Sequence, residues 1–182
     1  MRLVRWSPEE MFARLDDVLF IYAEAMNYQH EIVEMRRGFI AAHTQRAGFR
    51  AVATMDGDKV AGFSYGYHGK PGQWWHEQVR SGLTAEGYQR WMADCFELVE
   101  LHVLPYAQGH GLGQAQLLSL LDGVPRRTVI LSTPEGESRA WRLYRRMGFQ
   151  DVLRDHEFLG DDRPFAVLGH DLPLDQPDPR GA

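Results

Sequence analysis

The first quarter of the chain repeats apolar residues with the period of an α-helix. Ser7, Pro8 and Glu10 form a helix-start signal, with an N-cap, a first helical residue and the acidic partner of a capping box. Apolar residues then recur at three- and four-residue steps as far as about Met26, which predicts one long helix. A similar pattern predicts a second helix over residues 31–45. The residues predicted to lie on its buried side are Ile32, Met35, Phe39 and Ile40.

The pattern then changes to that of strands. Residues 49–55 and 59–67 are predicted strands, and Asp56, Gly57 and Asp58 form the turn of a hairpin between them. An aromatic-rich insert over residues 73–95 is predicted to be helical. Residues 96–104 are the most strand-like run, and Pro105 ends it.

The second half alternates helices and strands. Helices are predicted over residues 112–122 and 138–147, the latter closed by Gly148, and strands over 128–132, 150–158 and 165–171. This order predicts an α/β fold with a mixed, mostly antiparallel sheet of six to seven strands flanked by helices. Residues 1–172 are expected to form a single domain. The proline-rich residues 173–182 are expected to be a disordered tail.

Composition and charge narrow the classes of function. The chain has 182 residues, 44% of them apolar, which is enough for one sizeable core. Its single cysteine, Cys95, excludes an internal disulfide, and no Cys/His cluster has the spacing of a metal site. The net charge of −5 and the lack of a basic run argue against nucleic acid as a partner. Because no signal peptide or membrane-spanning run is recognisable, we expect no membrane association and a cytoplasmic protein.

A buried strand runs through glycines directly into a helix over residues 96–113. Such a junction points backbone N–H groups and the positive end of the helix dipole at one spot, which favours a phosphate. A dinucleotide-binding fingerprint would need a small residue at Gln114 or Gln116, and a P-loop would need Gly-Lys-Ser/Thr. The sequence has neither. The remaining pattern is Gln108-x-x-Gly111-x-Gly113.

This pattern resembles the acetyl-CoA loop of the GNAT family of N-acetyltransferases, which is Gln/Arg-x-x-Gly-x-Gly/Ala after a strand ending in Val-x-Pro. A second segment, residues 140–149 with the sequence AWRLYRRMGF, is similar to the family's later Ala-x-x-Leu-Tyr-x-x-x-Gly-Phe helix. The two matches occur in the family's order. One departure is Glu137, where the family often has asparagine.

The resemblance implies a GNAT fold and acetyl transfer from acetyl-CoA to an amine, without a metal. It implies that backbone groups of the central strand hold the pantetheine and thioester, and that loop N–H groups hold the pyrophosphate. The residues concerned are Leu101, His102 and Val103 in the strand, and Gln108, Gly109, His110, Gly111, Leu112 and Gly113 in the loop. It further implies that Tyr144 gives a proton to the CoA sulfur. The alternative for Tyr144 is a structural role on the core side of its helix.

Family members that use a base often carry it eleven positions before the loop glutamine, where Glu97 stands. Strand alternation puts Glu97 and Val99 on one face and Glu100, His102 and Leu104 on the other. Burial in an apolar sheet would raise the pKa of Glu97 toward values useful for a base. Glu100 and His102 are the reserves, and deprotonation through water without a dedicated base is the alternative.

Substrate contacts are expected from the variable segments, with Tyr28, Trp74 and Trp75 as candidates. Aromatic rings attract cationic amines, although the two tryptophans are equally suited to anchoring a lid. These residues favour a primary amine of a small molecule as the acceptor. The alternatives are a protein N-terminus or lysine, and a catalytically silent domain that binds acyl-CoA as a sensor. A homodimer is left open.

Overall fold

A computed structural model describes residues 1–174. The predictions for residues 175–182, which include most of the expected tail, lie outside the described residues. The strands are β1 (Arg2–Trp6), β2 (Arg50–Asp56), β3 (Lys59–His68), β4 (Cys95–Val103), β5 (Thr128–Pro134), β6 (Gln150–His156) and β7 (Phe165–Asp171). The helices are α1 (Pro8–Ala13), α2 (Leu15–Met26), α3 (His30–Glu34), α4 (Arg37–His43), α5 (Trp74–Ser81), α6 (Ala85–Trp91), α7 (Leu112–Leu121) and α8 (Arg139–Arg146). A 3₁₀ turn covers Pro105–Ala107.

The strands form one sheet of seven, in the order β1-β2-β3-β4-β5-β7-β6. Pairing is antiparallel between β1 and β2, β2 and β3, β5 and β7, and β6 and β7. The ladder between β4 and β5 is parallel and runs from the Cys95–Thr128 pair to the Glu97–Ile130 pair. Past this ladder β4 continues to Val103. The predicted mixed, mostly antiparallel α/β fold is confirmed.

The chain divides into two compact units. The first comprises residues 1–68 and 98–120, and its core lies between the N-terminal helices and strands β2 and β3, with residues such as Val18, Tyr22 and Phe63. Among the described residues, the second comprises 69–97 and 121–174, and one of its clusters joins α5, α6 and strands β5 and β7 through Val79, Met92, Ile130 and Val167. The prediction of a single domain stays a prediction.

The N-terminal helices are shorter than the periodicity predicts. The capping box is present, since the Glu10 amide donates to the Ser7 hydroxyl and the Ser7 amide donates to the Glu10 carboxylate. The first helix, however, is interrupted at Arg14, and the second is divided into α3 and α4. The predicted buried side of the second helix is therefore wrong. Ile40 is buried, but Ile32, Met35 and Phe39 are exposed, because the side that faces the core is the one with Val33 and Ile40, which are seven residues apart.

Strand β1 is absent from the sequence-based prediction. Its five residues pair antiparallel with β2, from Arg2 opposite Met55 to Trp6 opposite Ala51. The charged residues Arg2 and Arg5 hide the strand pattern, because an edge strand tolerates polar side chains. The predicted hairpin, the helical insert, α7, α8 and the last two strands are present close to their predicted bounds. None of the helices within residues 1–174 is both long enough and apolar enough to cross a bilayer.

Candidate functional site

The loop between β4 and α7 has a backbone that glycine makes possible. Gly109 and Gly111 have φ angles of 86° and 74°. This left-handed region is costly for residues with a Cβ, so glycine is favoured at both positions. A Cβ on either residue would meet no atom within 4 Å. The two glycines are thus needed for conformation and leave the surface of the loop open.

The loop also presents a row of backbone donors. Within residues 1–174, the amides from Gly109 to Gln114 donate to no protein acceptor, and the first amide bonded back is that of Ala115, to the Gly111 carbonyl at 3.0 Å. Gly109, His110 and Gly111 are exposed. Unpaired amides at the start of a helix, together with the helix dipole, form an anion-binding site.

Gln108 organises the turn rather than presenting donors. Its side-chain amide donates to the Val103 carbonyl at 2.8 Å, and its backbone N–H donates to the Pro105 carbonyl at 3.3 Å. The side chain thereby fastens the loop to the end of β4. The accessible backbone donors accordingly begin at Gly109.

Gln116 fixes α7 against the sheet. Its buried side-chain amide donates to the Thr54 hydroxyl at 3.0 Å and approaches the His102 carbonyl at 3.5 Å. Gly62 on β3 lies directly beneath, since a Cβ there would meet the Gln116 amide nitrogen at 2.6 Å. These contacts fix the distance of the first turns of α7 from strands β3 and β4.

The second half of β4 borders the core of the first unit. Val99 packs against the hydrophobic cluster that also contains Leu104, the residue just beyond the end of β4. The predicted division of the β4 side chains into two faces stays a prediction. Leu101 and His102 are half-buried and Val103 is buried, so the backbone segment predicted to hold the thioester lies in a sheltered stretch of the strand.

Glu100 and His102, the two reserve bases, form a hydrogen-bonded pair. The His102 Nε2 and a Glu100 carboxylate oxygen are 2.7 Å apart, and both side chains are largely buried, at 11% and 13% exposure. The His102 ring lies edge-on to Tyr22 at 5.0 Å and near Phe63 at 5.5 Å. Arg36 reaches the same place, with a guanidinium nitrogen 4.0 Å from the other Glu100 oxygen.

A second group of polar aromatic residues lies close to this pair. His43 Nδ1 is 3.1 Å from the Tyr65 hydroxyl, and the His43 ring lies edge-on to Tyr67 at 5.2 Å. Arg46 donates to the Tyr67 hydroxyl and lies over its ring. Burial, assisted by the charge of Arg46, lowers the pKa of His43 to about 4. This histidine is therefore neutral at physiological pH.

In the second unit, Glu97 is buried, with 3% exposure, in the part of β4 that pairs with β5. It lies near Cys95, whose thiol pKa is raised to about 12, first by burial and then by the Glu97 charge. Cys95 is consequently an unreactive core residue. The role of Glu97 as a base stays a prediction.

Tyr144 lies on the core side of α8, with 6% exposure. Its ring contacts that of Phe149 at 5.4 Å, and its carbonyl accepts the Phe149 amide at 3.0 Å. Both readings of Tyr144, as an acid and as a packing residue, agree with this position. Its catalytic role stays a prediction.

The candidate acceptor residues lie in different surroundings. Tyr28 is half-buried after α2 and contacts Tyr22 at 5.9 Å. In the second unit, the Trp75 indole donates to the Ser132 hydroxyl at 3.0 Å, and both Trp74 and Trp75 contact Phe158. Trp75 is half-buried and Trp74 is exposed, and a contact of either residue with an acceptor stays a prediction. Nothing in residues 1–174 groups three or more metal-ligating side chains.

Comparison with known proteins defines the class. The model of the Acetyltransferase (GNAT) family matches residues 15–149, and the chain belongs to this family of acetyltransferases. A GCN5-like protein acetyltransferase of Mycobacterium tuberculosis is 43% identical over 202 residues, which cover 94% of this chain and 98% of the relative.

Solved structures share the fold. A ribosomal-protein-alanine N-acetyltransferase of Brucella melitensis has a TM-score of 0.64 at 18% identity, covering 94% of this chain and 100% of its own. The PaiA N-acetyltransferase of Thermoplasma acidophilum, solved in complex with coenzyme A, has a TM-score of 0.61 at 13% identity, covering 94% and 99%.

Sequence reasoning missed three residues that the structure brings to the site. Tyr22 was part of a buried helical stripe, and its hydroxyl could not be distinguished from an ordinary core tyrosine. Arg36 was one of two adjacent arginines in a predicted helix. Gln116 was considered only as a mismatch to another loop pattern. A glutamine on the buried side of an apolar helix was the one signal available, since buried amides need partners.

Proposed function

We propose that this chain transfers the acetyl group of acetyl-CoA to a primary amine. The observation that carries the proposal is the row of backbone amides from Gly109 to Gln114 that, within residues 1–174, donate to no protein acceptor, the first three of them on exposed residues at the start of α7. These donors suit the CoA pyrophosphate, because they need an acceptor and the glycine surfaces are open. The backbone of Leu101, His102 and Val103 would hold the pantetheine and thioester.

The residues of this chain have separate tasks in the proposed reaction. Bound acetyl-CoA supplies an acetyl group activated as a thioester. Glu97, directly or through a water molecule, accepts the proton that the amine loses as its nitrogen bonds to the carbonyl carbon. Tyr144 donates its hydroxyl proton to the sulfur as the carbon–sulfur bond breaks, and regains a proton from solvent.

The acceptor has two candidate classes. The name of the 43% identical relative, a protein acetyltransferase, favours an amine on a protein, either a lysine side chain or the N-terminus. The aromatic pair of Tyr22 and Tyr28 favours a small-molecule amine, which can be enclosed by rings. We place the protein amine first, since the relative matches nearly the whole chain.

A thiol-release assay with acetyl-CoA tests both classes. Lysine peptides, peptides with free N-termini, polyamines, aminoglycosides and amino acids are compared, and mass spectrometry locates the acetyl group on the product. We expect release with at least one primary amine and none with its dimethylated analogue. Binding of CoA without release for any amine would instead support a silent sensor, and no binding of CoA would overturn the proposal.

Replacing Tyr144 by phenylalanine tests the acid. We expect turnover to fall by about 100-fold, a typical loss for one general acid or base, because the thiolate then departs unprotonated. The affinity for acetyl-CoA should stay within about twofold, because Phe keeps the contact with Phe149. Equal turnover in the two proteins, measured by thiol release, would remove Tyr144 from the mechanism.

A further inference from the structure

Arg36 is seated in a small aromatic and acidic site of the first unit. Its guanidinium carbon lies 4.7 Å from the centre of the Tyr22 ring, and it donates a hydrogen bond to the Tyr22 hydroxyl. One of its nitrogens is 4.0 Å from Glu100 Oε1. A ring face, a hydroxyl and a carboxylate around one cation are the groups that also hold an ammonium ion.

The hydrogen-bonding capacity of this site is only partly used. Glu100 Oε2 is bonded to His102, but the 4.0 Å separation from Arg36 is too long for a hydrogen bond to Oε1. Within the described chain, Oε1 has no other donor. A smaller cation that sits closer could bond to Oε1 and to the Tyr22 hydroxyl together.

The position of Arg36 also allows its side chain to move out of the site beside Glu100. It lies in the short connection between α3 and α4, and its side chain is 48% exposed, whereas that of Glu100 is only 13% exposed. The guanidinium therefore covers the buried carboxylate from the solvent side. An ion pair with such an exposed partner is weak, so its displacement costs little.

We propose that Tyr22, Glu100 and His102 form the subsite for the acceptor ammonium group, and that Arg36 occupies it as an internal competitor until the acceptor displaces it. Glu100 binds the ammonium, and His102 positions the Glu100 carboxylate. The subsite adjoins Leu101, His102 and Val103, the segment proposed to hold the thioester. The inference rests on the proposed amine acceptor and adds the residues that select it.

Direct binding tests the competition without relying on turnover. The probe is N-α-acetyl-L-lysine amide, titrated by calorimetry into the full chain saturated with CoA. Removing the internal cation in Arg36→Met should tighten binding by about fivefold, the size of one partly exposed cation–π contact. Arg36→Lys keeps a cation and should stay within about twofold of the wild type.

Arg37→Ala is the matched control, since Arg37 pairs with Asp16 and Glu34 on the surface and not with this subsite. It removes the same charge and should leave probe binding unchanged. Glu100→Gln should weaken binding by about tenfold, because a buried charged partner is lost. The norleucine analogue of the probe, which lacks the ammonium, should not distinguish these proteins.

Two results would overturn the inference. The first is unchanged or weaker binding of the probe to Arg36→Met with a normal melting temperature, which would make Arg36 a structural or acceptor-binding residue. The second is equal tightening in Arg37→Ala, which would reduce the effect to net charge. Failure of the proposed function is separate, since it would be seen as the absence of thiol release in the wild type.

Discussion

The two parts of the first unit that we propose as binding sites are built from different chemical groups. The loop from Gly109 to Gly113 offers backbone amides on an open surface, and its shape depends on two left-handed glycines. The cluster of Tyr22, Arg36, Glu100 and His102 offers side chains that already contact one another. A backbone site suits a constant group such as a pyrophosphate, whereas a side-chain site can change its acceptor by substitution.

Gly111→Ala is expected to have the largest effect among the substitutions that distinguish the loop from the cluster, and this effect is on CoA binding. Alanine in the left-handed region costs about 1–2 kcal/mol, so the loop should relax and bind CoA about tenfold more weakly. Isothermal titration with CoA measures the change. Binding of the lysine probe to the CoA-free protein should be unaffected.

Gly57→Ala is the matched control for this loop substitution. Gly57 has a φ of 60° in the β2–β3 turn, and a Cβ there also meets nothing within 4 Å. The same conformational cost should therefore lower stability while CoA affinity stays at the wild-type value. Equal losses of CoA affinity in both variants would mean that the loop glycines have no special role in binding.

A smaller effect, on stability, is expected from His43, which belongs to the second group of polar aromatic residues beside the cluster. The pKa of His43 is lowered to about 4 in the folded protein, from about 6.5 in the unfolded chain. The unfolded state therefore binds more protons in this window, and stability should fall as pH falls from about 6.5 to 4. Urea unfolding at several pH values measures the slope.

His43→Gln keeps a polar partner for Tyr65 and removes the titration. Its stability should depend less steeply on pH than that of the wild type. Buried His76 and half-buried His156, whose pKa values are also lowered by burial, leave a residual slope of the same sign. An unchanged slope in His43→Gln would contradict the assignment.

The loop was easier to predict than the cluster, because the spacing of its glycines indicates a phosphate-binding turn. A glycine-rich junction between a strand and a helix has few other uses, and Gln108, Gly111 and Gly113 could be read directly. The cluster depends on Tyr22, Arg36 and Glu100 meeting across long sequence separations, which no local pattern encodes. The predicted buried side of the second helix, with Ile32, Met35 and Phe39, also did not include Arg36.

Strand β1 and the exposed residues Met35 and Phe39 show the same limit. Periodicity finds the apolar sides of a helix, but it does not decide which of two neighbouring apolar sides faces the core, and here that side carries Val33 and Ile40. An edge strand with Arg2 and Arg5 has no alternating pattern to detect. The central strand, by contrast, was predicted well, because β4 is long, apolar and ended by proline.

At Gly62 the side chain is a single hydrogen atom, and β3 lies close to the Gln116 side chain of α7 and to the His102 carbonyl of β4. An added methyl group would lie 2.6 Å from the Gln116 amide nitrogen and 2.7 Å from the His102 carbonyl oxygen. The glutamine side chain can turn away, but the carbonyl belongs to the backbone of β4, so β3 and β4 would have to move apart. A substitution at position 62 would therefore disturb the backbone segment proposed to hold the thioester without removing any group that contacts it.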